Sequence, residues 1–185
     1  MSENLPRLVQ KDTIYEGRKL CLEVHQIEEP SGRRAVREVI RHNGSVGILA
    51  FRHTASGGRE VLLERNYRYS VGRYIMEIPA GTLDKPGESL EECARRELEE
   101  ETGCRAAHVR PLVSILPSPG FLSERLTIFV AEDVTAGEAA PEPGELITVV
   151  WVAWSEALDM VRRGEIEDAK TMTAVLYYDR FGAAI

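Results

Sequence analysis

The stretch GTLDKPGESLEECARRELEEETGC, from Gly81 to Cys104, constrains this chain more than any other part of it. Ser89, with Glu92 three residues on, makes a capping-box pattern, and Gly103 stands where a helix C-cap belongs. A helix is predicted between them. At about 100° per residue, Leu90, Cys93 and Ala94 form a narrow apolar stripe. Glu97, Glu100 and Glu101 fall in the same sector, spaced so that their carboxylates converge. Glu91, Glu92, Arg95, Arg96 and Glu99 face solvent. A solvated Glu-rich face is ordinary and accounts for Glu91, Glu92 and Glu99. The inward acids are different: they repel one another, lose hydration and lie at the helix end whose dipole disfavours anions. Two things would compensate, a hard divalent cation with oxygen ligands or an internal salt-bridge network using Arg95 and Arg96.

Around this helix the pattern is mostly strand. Leu20, Leu22 and Val24 alternate with Cys21, Glu23 and His25, and Val36–Arg41 is the expected pairing partner. Asn43-Gly44 suggests a hairpin into Val46–Phe51, and Gly57-Gly58 a turn into Val61–Leu63. Tyr74–Pro79 reads as a short extended piece ending in Ala80-Gly81. Strands are expected around Val109–Leu116, Leu126–Ala131 and Ile147–Trp154, with Pro141–Gly144 a loop. Ser155 is the expected cap of a helix through Arg163, and Asp168 of one running toward Tyr178. Many strands with one central and two late helices predict an α+β fold. No repeat, low-complexity tract or linker divides it.

The formal net charge of −7 argues against a nucleic-acid binder, which needs a basic surface. Hydrophobic residues at 43% and charged residues at 29% fit a globular domain, so disorder is not expected. Cys21, Cys93 and Cys104 have no metal-ligand spacing and read as free thiols of a reducing cytoplasm. Met1–Lys11 is polar and carries Pro6, so neither a signal peptide nor a membrane partner is expected.

The acidic stretch resembles the Nudix box: a Gly, five residues, a Glu, seven residues, then Arg-Glu-aliphatic-any-Glu-Glu-any-Gly-aliphatic. From Glu88 through Arg96-Glu97-Leu98-Glu99-Glu100-Glu101-Thr102-Gly103 the match is complete, with Cys104 in place of the last aliphatic residue. Six residues rather than five separate Gly81 from Glu88, read as one extra residue in an Asp84–Gly87 turn. The resemblance implies a mixed β-sheet sandwiched between helices, with N-terminal antiparallel strands. It implies that residues 1–42 are a dimerisation element and 43–185 a single catalytic domain. Mg²⁺, or Mn²⁺, would be held by Glu97 and Glu101, with Glu100 assisting and the Ala80 carbonyl as a further ligand. Gly81, Glu88 and Arg96 would brace the loop, with Arg96 paired to Glu88.

The segments RNYRYSVGRYIMEIPAGTLD and LPSPGFLSER are similar to the ADP-ribose pyrophosphatase subgroup, as is Pro119, fifteen residues past Cys104. The implied reaction is metal-dependent hydrolysis of a nucleoside diphosphate derivative, ADP-ribose first, to AMP and ribose 5-phosphate. Glu145, or Glu142 beside it, would be the general base. Arg68 and Arg37 would contact the diphosphate, Arg37 serving the other subunit of a homodimer, and Tyr15 would stack on the adenine. A GDP- or UDP-sugar is the alternative substrate. A non-catalytic nucleotide-binding module is the remaining one, disfavoured because Glu97, Glu100 and Glu101 are all present.

Overall fold

The computed structural model of the protein describes residues 4–17, 19–137, 139 and 146–182. The chain divides into two units, residues 1–44 with 116–125, and residues 45–115 with 126–185.

The first unit is an antiparallel sheet of β1 (Arg7–Glu16), β2 (Cys21–Glu28) and β3 (Arg34–Arg41), in that order. β2 and β3 pair in continuous register from Cys21↔Arg41 to Glu28↔Arg34, the pairing expected from the sequence. β1 was not expected, because its residues are largely polar; all ten are exposed, so no burial pattern marks them. The segment Leu116–Arg125 adds to β3, with Ile40 N donating to Phe121 O and Ser123 N to Ile40 O. At the middle of β2, Glu23 is buried and meets Arg41 at 2.8 Å, Lys11 at 2.9 Å and His25 at 2.8 Å. Hydrogen bonds from Arg41, then Lys11, then His25 hold its carboxyl at about 2.

The second unit is built on a mixed sheet. Its strands are β4 (Ser45–His53), β5 (Arg59–Arg68), β6 (Arg73–Glu77), β7 (Ala80–Thr82), β8 (Arg105–Ile115), β9 (Leu126–Thr135) and β10 (Ile147–Ala153). The order is β10-β5-β4-β9-β8, with β6 on β5 and β7 on β4. β4 and β9 run parallel and the other pairs antiparallel. The helices are α1 (Leu90–Thr102), α2 (Trp154–Arg162) and α3 (Ala169–Phe181). Among the described residues no helix is long and apolar enough to cross a membrane.

The hairpin expected at Asn43-Gly44 does not form. β3 stays in the three-stranded sheet and β4 opens the mixed one, with Gly44 at φ 100° in between. The physical reason lies in β4, whose residues Ser45–Phe51 are all buried. Such a strand needs neighbours on both edges and cover on both faces. Its odd-numbered Leu49 and Phe51 pack with Leu63, Ile128 and, from α2 and α3, Ala157, Ala174 and Val175. Its even-numbered Val46, Ile48 and Ala50 pack with Leu62, Phe129 and, from α1, Cys93, Ala94 and Leu98. The period-two alternation therefore assigns α1 to one face of the sheet and α2 with α3 to the other. Each fully buried Leu or Phe here stabilises the fold by about 1.5–3 kcal/mol.

Helix boundaries follow local chemistry. Ser89 accepts from Glu92 N while the Glu92 side chain accepts from Ser89 N, and Gly103 closes α1 at φ 70°. Asp168 caps α3 through Thr171 N. Ser155 does not cap α2, which begins at Trp154, two residues earlier than that cap would place it, with Ala153 as an N-cap lacking a side-chain bond. Burial of Ala157 and Met160 sets that start instead.

Glu23 carries a pH prediction. Its folded carboxyl titrates well below the unfolded one, so its contribution is complete above the ordinary carboxylate range. It is lost as pH falls from there toward about 2. In thermal melts between pH 2 and 6, Glu23→Gln should show a flatter acid limb than the wild type. Parallel limbs would mean that the ion pairs of Glu23 add nothing to folding.

Candidate active site

The site grows from the contact between α1 and the short segment Glu77–Thr82. Glu101 is buried on α1, and its Oε2 accepts from Ala80 N at 3.0 Å. Glu97, one turn earlier, has a side chain only 13% exposed, and it lies directly against Gly81. A Cβ added at Gly81 would fall well inside van der Waals contact with the Glu97 carboxylate. Glycine is required here for close approach, since Gly81 has no positive φ. Glu100 sits at the rim with its side chain 41% exposed. Of the three acids expected to face inward, two do so and the third flanks them. Leu90, expected in the apolar stripe, is 38% exposed, while Leu98 takes the buried position beside Cys93 and Ala94.

Arg96 gathers these acids. Its Nε donates to Glu88 Oε1 at 2.7 Å and Nη2 to Glu88 Oε2 at 3.0 Å. Its Nη1 donates to Glu97 at 2.6 Å and to Glu100 at 2.9 Å, and Asp84 lies 3.4 Å from Nη2. Arg96 had been placed on the solvent face, yet its side chain is 15% exposed. Its aliphatic stem lets the head reach round to the acids. Lys85 adds a second cation on Glu100 at 3.4 Å. Arg95 remains outside, bonded to Glu91 and to Ala106 O. The turn before α1 is closed by Glu88 N donating to Lys85 O, with Gly87 at φ 81°.

The charges show in the titration behaviour. The Glu88 carboxyl is held low, first by its hydrogen bonds from Arg96. Glu97 is pushed up, first by burial and further by the charges of Glu100 and Asp84, with Arg96 opposing. Burial pushes the Cys93 thiol up to about 12, so it packs as a small apolar group.

The donor set suits a hard divalent cation: carboxylates of Glu97, Glu100 and Glu101 beside the Ala80–Gly81 backbone, all oxygen ligands. Glu97 is desolvated and stands near the like charges of Glu100 and Asp84, a condition a cation relieves. Among the described residues no three acidic, His or Cys side chains already stand as a finished cage. Arg96 is bonded to two of the acids and Ala80 N to the third.

Arg68, at the end of β5, is close enough to the site to feel the charge of Glu101. Its guanidinium meets Glu77 at 2.8 Å, and Lys170 of α3 meets the same carboxylate at 2.6 Å. Neither Glu77 nor Lys170 was expected from the sequence. The only signal was an acid within the otherwise apolar piece Tyr74–Pro79. Three expected substrate residues lie on the first unit. Tyr15 on β1 is exposed and pairs with Leu22. Arg37 on β3 is exposed and donates to Val36 O and Glu29. Pro119 is exposed in the turn where Phe121 N and Leu122 N donate to Ser118 O. Glu142, Glu145 and the Pro141–Gly144 loop lie outside the described residues.

A helix of acids seated on a glycine loop, on one face of this mixed sheet, defines a family: residues 41–175 match the NUDIX domain, and the chain belongs to the Nudix family. Members of this family generally use divalent metal ions. The chain is 36% identical to the ADP-ribose pyrophosphatase of Bacillus subtilis over 173 residues, 92% of this chain and 91% of that protein. It is 34% identical to the GDP-mannose pyrophosphatase of Salmonella paratyphi B over 153 residues, 78% of each. A crystal structure of an ADP compounds hydrolase superposes with a TM-score of 0.83 at 23% identity, covering 100% of this chain and 98% of that one, and supports the fold.

The Gly81 contact gives a direct test. Gly81→Ala should keep the folded far-ultraviolet spectrum but move the Glu97 carboxylate off its seat. Calorimetric affinity for a divalent ion should fall by about ten- to a hundredfold, the range for disturbing a group that orients a ligand. Unchanged affinity would show that the close approach does not matter.

Proposed function

We propose that the protein is a metal-dependent pyrophosphatase that cuts the diphosphate of ADP-ribose, giving AMP and ribose 5-phosphate. The observation that carries this reading is the seating of Glu97 and Glu101 on the Ala80–Gly81 backbone. Support for ADP-ribose comes from the name of the Bacillus subtilis relative and from the RNYRY and LPSPG segments. A GDP-mannose substrate is the second reading, favoured by the Salmonella relative.

The bound ion, Mg²⁺ with Mn²⁺ as substitute, would be held by Glu97, Glu101, Glu100 and the Ala80 carbonyl, and would neutralise the diphosphate and acidify water. The chain's own groups do the rest. Glu88 and Arg96 brace the loop, so that the acids of α1 keep their places against Gly81. Arg68 contacts a phosphoryl oxygen and orients the diphosphate for in-line attack. Glu145, or Glu142, accepts the proton of the attacking water. Arg37 adds a second cation on the diphosphate, Tyr15 stacks on the adenine, and Pro119 shapes the substrate site.

The protein acts as a homodimer in this reading, with residues 1–42 as the dimerisation element and 43–185 as the catalytic domain. What supports the dimer is β1, which exposes Leu8, Val9, Ile14 and Tyr15 along one edge strand. Free Cys21, Cys93 and Cys104 suit a cytoplasmic protein.

Glu97→Gln and Glu101→Gln should each lower kcat by at least about 10²-fold with the fold retained, since each removes charge that holds the ion. Glu99→Gln, outside the acid seat, should be near silent. Full activity of both inward variants at saturating Mg²⁺ would refute the assigned roles. In parallel assays, ADP-ribose should exceed GDP-mannose and UDP-glucose in kcat/KM, and a ratio near one would remove the ADP-ribose assignment.

A further inference from the structure

We infer that Glu77 is a positioning residue that fixes Arg68 for its substrate, through a buried ion-pair network completed by Lys170 and Asp168. The inference rests on the reading of Arg68 as a diphosphate contact.

Glu77 ends β6 and is 1% exposed, so its charge has lost nearly all hydration. Such a carboxylate persists only where cations replace the lost water. Two do so. Arg68 Nη2 donates to Oε2 at 3.0 Å, and its Nε stands 2.8 Å from Oε1. Lys170 Nζ donates to Oε2 at 2.6 Å and lies 3.1 Å from Asp168 Oδ2.

The network is anchored to the frame. Asp168 Oδ2 accepts from Thr171 N at 3.0 Å and from Thr171 Oγ1 at 2.5 Å, while Ile78 N donates to Thr171 Oγ1 at 2.9 Å. Glu77 therefore cannot shift without disturbing the start of α3. Its Arg68 partner is different in kind: the arginine side chain is 42% exposed. One edge of the guanidinium is held by a fixed carboxylate while the side chain stays part-exposed, within reach of the charge of Glu101 on α1.

The register shows that this is no incidental facing pair. Arg68 stands opposite Arg73, and Glu77 opposite Glu64, at the two ends of the β5–β6 ladder. The side chains meet by lying along one face of the hairpin. An arginine loses much rotamer freedom when held this way, and that loss is met in folding rather than at substrate binding.

A purely structural brace for α3 would look similar in a static structure, so the test uses kinetics. KM, kcat and melting temperature would be measured for the full-length protein with ADP-ribose and Mg²⁺. The variants are Arg68→Ala, Glu77→Gln and the double substitution. Arg68→Ala should raise KM by about tenfold, the factor expected for one lost charge-assisted contact. Glu77→Gln should raise KM in the same direction with kcat little changed. In the Arg68→Ala background it should add less than about twofold, because it acts through a group already removed. If Arg68→Ala raises KM and Glu77→Gln does not, the positioning role is overturned and the Arg68 contact survives. A KM rise from Glu77→Gln that is equal in both backgrounds also overturns it. An unchanged KM in Arg68→Ala removes the contact itself, and the inference with it. Should Glu77→Gln fail to fold, Glu77→Asp keeps the charge for Lys170 but is one methylene short of Arg68. It should show the same KM rise, and a wild-type KM there would overturn the role.

Discussion

Carboxylates can sit against the inner side of a helix only where a counter-charge meets them, and Arg96 is that counter-charge in α1. It reaches Glu88, Glu97 and Glu100 by hydrogen bonds and has Asp84 within ion-pair distance. The sequence left two ways to stabilise the inward acids, a divalent ion or an internal salt-bridge network. The structure makes these less opposed than they first seem. The side chains that form the network are the ones a divalent ion would need, and Glu97 keeps a raised pKa despite Arg96, first because it is buried. The arginine neutralises only part of the acid charge, since three carboxylates share its one positive charge.

The segment Glu77–Thr82 is held from both helix layers. From α1, Glu101 accepts from Ala80 N. From α3, Thr171 Oγ1 accepts from Ile78 N, and Lys170 reaches Glu77. In the sheet itself, β7 pairs with β4 from Ser45↔Thr82 to Gly47↔Ala80. A functional group placed on this short segment inherits the rigidity of the core, in which Glu77 and Ile78 are buried.

Much of this was legible in the sequence because it depends on local chemistry. Ser89, Glu92 and Gly103 announce α1 through side-chain-to-backbone bonds only a few residues apart, and the 3.6-residue period places Glu97 and Glu101 inward. The Gly57-Gly58 turn joins β4 to β5 for the same reason. What was hidden depends on partners distant in the chain. β1 has no apolar alternation, so only its ladder with β2 reveals it. The Asn43-Gly44 pair looked like a hairpin, but the two-sided burial of β4 takes it to other neighbours. Ser155 had the right chemistry for a cap and the wrong position, since packing of Ala157 and Met160 starts the helix earlier. Arg96 was named as a partner of the acids and of Glu88, and only its outward placement by the helical period failed, because a long side chain reaches round the helix. Glu77 escaped because an ion pair between the ends of a hairpin leaves no periodic trace.

The parallel pairing of β4 with β9 has a consequence for how the chain is made. Ser45 joins Leu126, and Ala50 joins Ala131, so the central strand of the core waits for a partner encoded far downstream. On the ribosome, β4 and β5 can form their hairpin early, but one edge and much of the apolar cover of β4 are missing until β9 has emerged. Closing so long a loop is slow compared with forming helices or local turns. During synthesis the nascent chain therefore carries Val46–Phe51 without its β9 partner until Leu126–Ala131 have emerged, and that apolar run is a segment a chaperone would shield.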